Sequence, residues 1–357
     1  MEKNTNLVKD LLTMGAERNA SDLHLVADTL PTFRVMGNLV PFADPGVMTS
    51  SELMGYITGL MSPAQKELFL RDLEIDFSVT VSGKFRFRAN AYFQRGTPAI
   101  SLRYIPNTIP TIDSLALPDI CHAFTKLKQG FVLVVGPTGS GKSTTVASIL
   151  DEINTNRTEH IVSIEDPVEF IHLNKKSIVS QRELGGDTKS WSAALKSVLR
   201  EDPNIVYIGE MRDAETMSAA MTVAETGHLV FATLHTNSAS QTIERIVDSF
   251  PEDQQQQIVL QLSMVLEAIL SQRLIPTVDG RRAVATEILI ATPAVRNNIR
   301  EGKTFQIDNI IQTSGNLGMR LFEQSLSDLV NRNIVNRSVA LEYAIRPAVF
   351  DKMVAPK

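Results

Sequence analysis

Gly136-Pro-Thr-Gly-Ser-Gly-Lys-Ser143 has the spacing G-x-x-x-x-G-K-[ST]. Its glycines permit a tight loop whose backbone N–H groups can face phosphate oxygens. A helix starting at the loop's end adds a favourable dipole. In such a loop Lys142 would reach the β- and γ-phosphates of ATP, and Ser143 would give its hydroxyl to Mg²⁺. The residues expected to bind the nucleotide are Gly136, Pro137, Thr138, Gly139, Ser140, Gly141, Lys142, Ser143 and Thr144. Hydrolysis needs metal ligation and a group that orients water as well. Asn204-Ile-Val-Tyr-Ile-Gly-Glu210 is an apolar strand pattern ending in a carboxylate, which suits Glu210 as a second Mg²⁺ ligand. His160-Ile-Val-Ser-Ile-Glu165 repeats the arrangement, with Asp166 as a turn residue before Pro167. Two carboxylates at two strand ends, one for Mg²⁺ and one for water, are a sufficient catalytic set.

The elements that must position these groups follow from hydrophobic patterning. Phe131-Val-Leu-Val-Val135 is wholly apolar, as a parallel strand covered on both faces should be. Further strands are expected at 160–164, 205–208 and 229–233, with helices at 141–154, 190–200 and 213–226 between them. That alternation predicts an α/β domain with a largely parallel sheet. From 237 onward the pattern reads as helices with one strand at 282–290.

The first hundred residues have a different style. Residues 1–18 carry Leu7, Val8, Leu11 and Leu12 at helical spacing, and 51–70 reads as helical too. Residues 20–25 and 31–36 alternate, with Gly37-Asn38 as the turn, and read as a hairpin. A second hairpin spans 77–81 and 84–93 around Ser82-Gly83, followed by a strand at 99–104. The result is a small α+β domain over 1–105 with an antiparallel sheet. Residues 106–117, opening with two prolines close together, are expected to be a linker to a domain over 118–357.

Composition excludes several classes. The 357 residues are 43% hydrophobic and 21% charged, ordinary globular usage. A net charge of −5 leaves no basic excess for a nucleic-acid backbone. Lys175-Lys176 is too small for a basic patch and reads as a solvated turn. The single cysteine, Cys121, cannot form an intrachain disulfide or a four-cysteine zinc site. Mixed charges at the start do not resemble a secretory signal, and the run 131–135 is far short of the roughly 20 residues that span a bilayer. A cytoplasmic protein without direct membrane insertion is expected.

Taken together, the motifs resemble the hexameric secretion-type ATPases, and within them the PilT-like motors that retract type IV pili. The family's Walker A is similar to residues 136–144, and its Asp box to Ile164-Glu-Asp-Pro-Val-Glu-Phe170. Its Walker B resembles Ile208-Gly-Glu-Met-Arg-Asp213, and its His box residues 225–237. The retraction signature A-I-R-N-L-I-R-E resembles Ala294-Val-Arg-Asn-Asn-Ile-Arg-Glu301, departing at Val295 and Asn298. Ala20-Ser-Asp-Leu-His-Leu25 is similar to the family's N-terminal strand.

The resemblance implies an α/β, RecA-like P-loop ATPase core, a smaller N-terminal α+β (PAS-like) domain and a helical C-terminal extension from about 290 to 357. It implies an ATPase converting ATP and water to ADP and phosphate, coupled to pilus retraction and twitching motility. Glu165 would polarise the attacking water, or share that task with Glu210. His235 and His228 would sense the γ-phosphate or link neighbouring sites. Arg88 and Arg103 would reach the nucleotide across a domain or subunit boundary, with Arg86, Arg95, Arg200 and Arg212 as weaker candidates. Residues 294–301 would couple the motor to retraction. Implied partners are five further copies in a homohexamer, an inner-membrane pilus platform protein and an accessory retraction ATPase, with the ring peripheral at the inner face of the cytoplasmic membrane. A short N-terminal region and the absence of zinc-binding cysteines favour the retraction branch over extension motors. An accessory retraction ATPase, and from another class a nucleic-acid translocase or nucleotide-gated switch, remain as alternatives.

Overall fold

Alternating apolar and polar residues in the first hundred positions give a six-stranded antiparallel sheet. Its strands are β1 (Ala20–Val26), β2 (Thr32–Val35), β3 (Asn38–Pro41), β4 (Glu74–Val81), β5 (Phe85–Gln94) and β6 (Thr97–Ile105). Their order is β3-β2-β1-β6-β5-β4. In β5, Phe85, Phe87, Ala89 and Ala91 are buried while Arg86, Arg88 and Asn90 take the opposite face. The buried face joins helices α1 (Glu2–Glu17), α2 (Ser50–Gly59) and α3 (Pro63–Asp72) in one core through Leu12, Leu53 and Phe69. Each such side chain contributes about 1.5–3 kcal/mol by leaving water. The computed structural model describes residues 2–18, 20–83, 85–105 and 108–354.

Local chemistry refines two expected elements. The helical stretch 51–70 is two helices, because Ser62 caps α3: its hydroxyl accepts from the Gln65 N–H while the Gln65 amide oxygen accepts from the Ser62 N–H. The turn expected at Gly37-Asn38 lies one residue earlier. Met36 and Gly37 both take positive φ, 48° and 85°, and Asn38 already opens β3 opposite Val35. Lys84, read as the first residue of a strand, lies outside the described residues.

The chain divides into two units, Met1–Thr108 with Glu169–Ile171, and Ile109–Val168 with His172–Lys357. Residues 106 and 107 of the expected linker lie outside the described residues. Farther along it, Ile112 and Leu117 are buried with Cys121, Phe124 and Phe231 in the second unit, so this stretch packs rather than tethers. Prolines at 106, 110 and 118 break up the spacing of Ile109, Ile112, Leu115 and Leu117, which is why the pattern reads as a linker.

The second unit is built on a seven-stranded sheet. Its strands are β7 (Gly130–Val135), β8 (His160–Glu165), β9 (Ile178–Glu183), β10 (Ile205–Ile208), β11 (Leu229–Leu234), β12 (Leu266–Pro276) and β13 (Arg282–Ile290). The order is β13-β12-β7-β11-β10-β8-β9, and only the β12–β13 pair is antiparallel. Side chains of β7 alternate between two cores: Phe131, Leu133 and Val135 enter one, Val132 and Val134 the other. Helices α4 (Ile120–Phe124), α5 (Lys142–Asn156), α6 (Trp191–Val198), α7 (Ala214–Glu225), α8 (Ala239–Asp248) and α9 (Glu252–Val265) accompany the sheet. Helices α10 (Pro293–Arg300), α11 (Ile307–Thr313), α12 (Phe322–Asn331), α13 (Arg337–Tyr343) and α14 (Pro347–Met353) form the C-terminal extension. No helix among the described residues is long and apolar enough to cross a membrane.

One expectation for the C-terminal half is corrected. Residues 266–276, within the tail read as helical, form strand β12. A short apolar run does not separate strand from buried helix by periodicity. Here the free edges of β7 and β13 decide, because both pair with β12.

Candidate functional site

Strands β7, β11, β10 and β8 are neighbours and parallel, so their carboxyl ends align, with Val135 opposite Leu234, Ala232 opposite Ile208, and Ile208 opposite Ile164. Ligands of open α/β sheets bind at this edge. The phosphate loop follows β7, His235 follows β11, Gly209-Glu210 follows β10, and Glu165 ends β8.

The loop's backbone explains its glycines. Gly136 has φ 148°, and a Cβ there would lie 2.2 Å from the Gln272 carbonyl oxygen. Gly141 has φ 88° and immediately precedes α5. Residues 137–139 form an exposed crest. Lys142 opens the helix with its side chain buried, and its Nζ donates to the carbonyls of Gly136 at 2.9 Å and Pro137 at 3.1 Å. An ammonium held against loop carbonyls, beside an exposed crest and the first turn of α5, suits a phosphate-bearing ligand. Ser143 and Thr144, in that first turn, are half-buried.

Four of the expected groups meet. His235 Nδ1 lies 3.4 Å from Thr138 Oγ1 on the crest, and its Nε2 lies 3.1 Å from Glu210 Oε2. Arg212 pairs with the other carboxylate oxygen of Glu210. Burial would raise the Glu210 carboxyl, but Arg212 and His235 outweigh it and hold it below the ordinary value, so it is ionised at neutral pH. Beside it a cavity of about 370 Å³ is lined by Met211, Arg212, Leu234, His235, Thr236, Gln241 and Arg245.

Glu165 is buried, and its Oε1 accepts from Ser163 Oγ at 2.6 Å and Gln181 Nε2 at 3.2 Å. Gly209 passes close by: a Cβ there would come within 3.3 Å of the Glu165 Cα. The remaining acid of the 208–213 segment is structural, since Asp213 caps α7 by accepting from the Thr216 N–H at 2.8 Å.

Other expected groups lie elsewhere. His228 immediately precedes β11, at the opposite end of that strand from His235, and its Nδ1 lies 3.0 Å from both Thr226 Oγ1 and the Val223 carbonyl. Within one chain it does not join the phosphate loop, because a six-residue strand of about 20 Å separates the two histidines. Arg88 and Arg103 belong to the first unit, directly opposed across β5 and β6. Arg103 Nε donates to Asp22 Oδ1 at 2.8 Å, and Arg34 lies 3.8 Å from the same carboxylate. Burial works against the Asp22 charge, but Arg103 prevails and lowers its pKa. Arg88 lies 3.9 Å from Asp76.

Two residues carry more than sequence reasoning assigned. Arg212 ranked as a weak candidate, although its place two residues after Glu210 was the available signal. Gln272 had none, because the strand that carries it was not recognised. The signature helix α10 has a buried stripe of Val295 and Ile299, while Arg296 bonds the carbonyls of Ser263, Met264 and Ala291 and pairs with Glu267. Asn297, Arg300 and Glu301 form its exposed side.

The chain is similar over nearly its full length to known proteins. It is 45% identical over 344 residues to the type IV pilus retraction ATPase PilT of Pseudomonas aeruginosa, covering 96% of this chain and 99% of that one. It is also 45% identical over 311 residues to a twitching motility protein of Neisseria gonorrhoeae, covering 87% of this chain and 83% of the relative. A crystal structure of the pilus retraction motor PilT with bound ADP superposes with a TM-score of 0.91 at 42% identity, over 97% of this chain and 99% of that one. The family model for type II/IV secretion system proteins matches residues 3–333. With its strand-end site and this breadth of likeness, the chain belongs to the type II/IV secretion system protein family.

Proposed function

We propose that this chain is an ATP-hydrolysing motor that retracts type IV pili and so powers twitching motility, acting as a homohexamer. The observation that supports the chemistry best is the line Thr138, His235, Glu210, Arg212, which ties the loop crest to a strand-end carboxylate. The full-length likeness to retraction motors supports the biological reading.

Each residue then has a role. Loop N–H groups and Lys142 bind the phosphates, with Lys142 exchanging loop carbonyls for phosphate oxygens. Ser143 and Glu210 would hold Mg²⁺, which when bound neutralises charge on the phosphates. Glu165, fixed by Ser163 and Gln181, orients and polarises the attacking water, with Glu210 as its rival for that task. His235 reports occupancy of the crest to Glu210. Arg88 and Arg103 supply guanidinium charge to the transition state, an effect worth roughly 10³–10⁵ in rate where such a residue is essential. The exposed side of α10 passes movement to an inner-membrane platform protein, with the ring at the cytoplasmic face of that membrane.

Glu210→Gln tests the chemistry: the variant should trap bound ATP and lose hydrolysis by roughly 10²–10³. Normal turnover would overturn the assignment of Glu210. A strain lacking the protein should be hyperpiliated and unable to twitch. Bald cells would indicate an extension motor, and several-fold stimulation of ATPase activity by single-stranded DNA would indicate a translocase.

A further inference from the structure

Three successive side chains of β12 each hold a backbone carbonyl from a different segment. Ser271 Oγ donates to the Asn237 carbonyl at 3.0 Å, Gln272 Nε2 to the Ser140 carbonyl at 2.8 Å, and Arg273 Nη1 to the Tyr343 carbonyl at 3.1 Å. One strand thus fastens the phosphate loop, the segment after His235 and the C-terminal helices.

Gln272 has the closest fit to the loop. It is completely buried. Its main-chain carbonyl oxygen fills the space a Cβ on Gly136 would need, and its side-chain Nε2 lies 3.3 Å from where a Cβ on Gly141 would be. Its own Oε1 is buried and has no hydrogen-bond partner in the structure. A side chain that leaves an acceptor unsatisfied is a poor choice for packing alone, so the value of the amide lies in its donor.

The peptide plane says what that donor does. In a trans peptide the C=O and the following N–H point in opposite directions. Holding the Ser140 carbonyl toward β12 therefore turns the Gly141 N–H away from β12, making it available to an anion. We propose that Gln272 is a positioning residue that sets the phosphate loop for nucleotide, acting through the Ser140–Gly141 peptide. This rests on the reading of residues 136–144 as a nucleotide site.

Two variants test it in the full-length protein, with a fluorescent ADP analogue and steady-state ATPase measurements. Gln272→Met keeps the volume and removes the donor. It should weaken binding roughly 10- to 100-fold at every pH and raise KM more than it lowers kcat. Gln272→Glu keeps the shape and restores a donor only when protonated, and burial raises the pKa of such a carboxyl. Its binding deficit relative to wild type should be large at pH 8 and shrink toward pH 6. A merely packing role predicts no pH-dependent recovery. Binding by Gln272→Met within twofold of wild type, or a Gln272→Glu deficit that does not change with pH, overturns the proposal. If Gln272→Glu does not fold, as judged by circular dichroism, Gln272→Met decides alone. Failure of the wild-type protein itself to bind the analogue would instead remove the nucleotide site on which the proposal rests.

Discussion

The two sheets use the same strand alternation and arrive at opposite ways of displaying polar groups. In the parallel sheet β7, β10 and β11 are buried along their whole length, so side chains that a ligand could reach follow the strand ends. Lys142, Glu210 and His235 are all there. In the antiparallel sheet one face is apolar and the other is not, so Asp22, Arg88 and Arg103 lie in mid-strand, across a surface. A doubly covered sheet makes a point-like site at its edge, whereas a singly covered sheet makes a broad charged face. The first suits a small ligand; the second suits contact with a charged partner surface or a neighbouring site.

Substitutions should separate these two kinds of display. Lys142→Ala removes a strand-end group and should reduce nucleotide affinity and turnover by roughly 10²–10³, read by analogue binding and phosphate release. Wild-type turnover would break the comparison at its strongest point. Replacing both Arg88 and Arg103 by Ala changes the broad face, and should lower turnover by roughly tenfold or more while nucleotide binding persists. Unchanged turnover would confine function to the parallel sheet.

The smallest expected effects are in the pH dependence of stability, where the units differ in sign. Asp22 has a lowered folded pKa, so its contribution is present above the ordinary carboxylate value near 4 and is lost as pH falls through the folded value. Asp22→Asn should cost about 1 kcal/mol at pH 7, a figure reduced for the exposure of Arg103, and progressively less as pH falls through the folded value. His122 in the second unit has a raised pKa, because Glu152 hydrogen-bonds it at 2.8 Å against some burial and Asp113 assists. Its contribution is complete below about 6.5 and is lost as pH rises through the folded value. His122→Gln should therefore destabilise at pH 6, and progressively less as pH rises through the folded value. Calorimetric melts across pH that shift both variants in the same direction would contradict these assignments.

Legibility in the sequence followed the same division. Groups next to a wholly apolar strand could be found because strand, turn and chemistry are contiguous: residues 131–143, 160–165 and 205–210 each carry their own context. Gln272 could not, since its meaning depends on Ser140, 132 positions away along the chain. Strand β12 was invisible for a related reason, as pairing with β7 and β13 rather than local pattern makes it a strand. A motif records order along the chain, so the sequence alone does not say whether His228 serves its own site or a neighbour's, whereas the strand between the two histidines puts them at opposite ends of β11. The packing of Ile112 and Leu117 is hard to read locally because the sheet residues they join, such as Phe231, lie far along the chain.

The central place of β7 also has a kinetic consequence. Its hydrogen-bonding neighbours are β11 and β12, and both are synthesised long after it. At ordinary translation speeds residues 136–265 take on the order of ten to twenty seconds to emerge. Both edges of Phe131–Val135 lack a partner until β11 has emerged, and one edge lacks its partner until β12 follows, while apolar side chains project from both faces, the profile of an aggregation-prone segment. The nascent chain therefore needs shielding at this strand until β12 arrives, and the phosphate loop acquires its Gln272 support only when that last central strand docks.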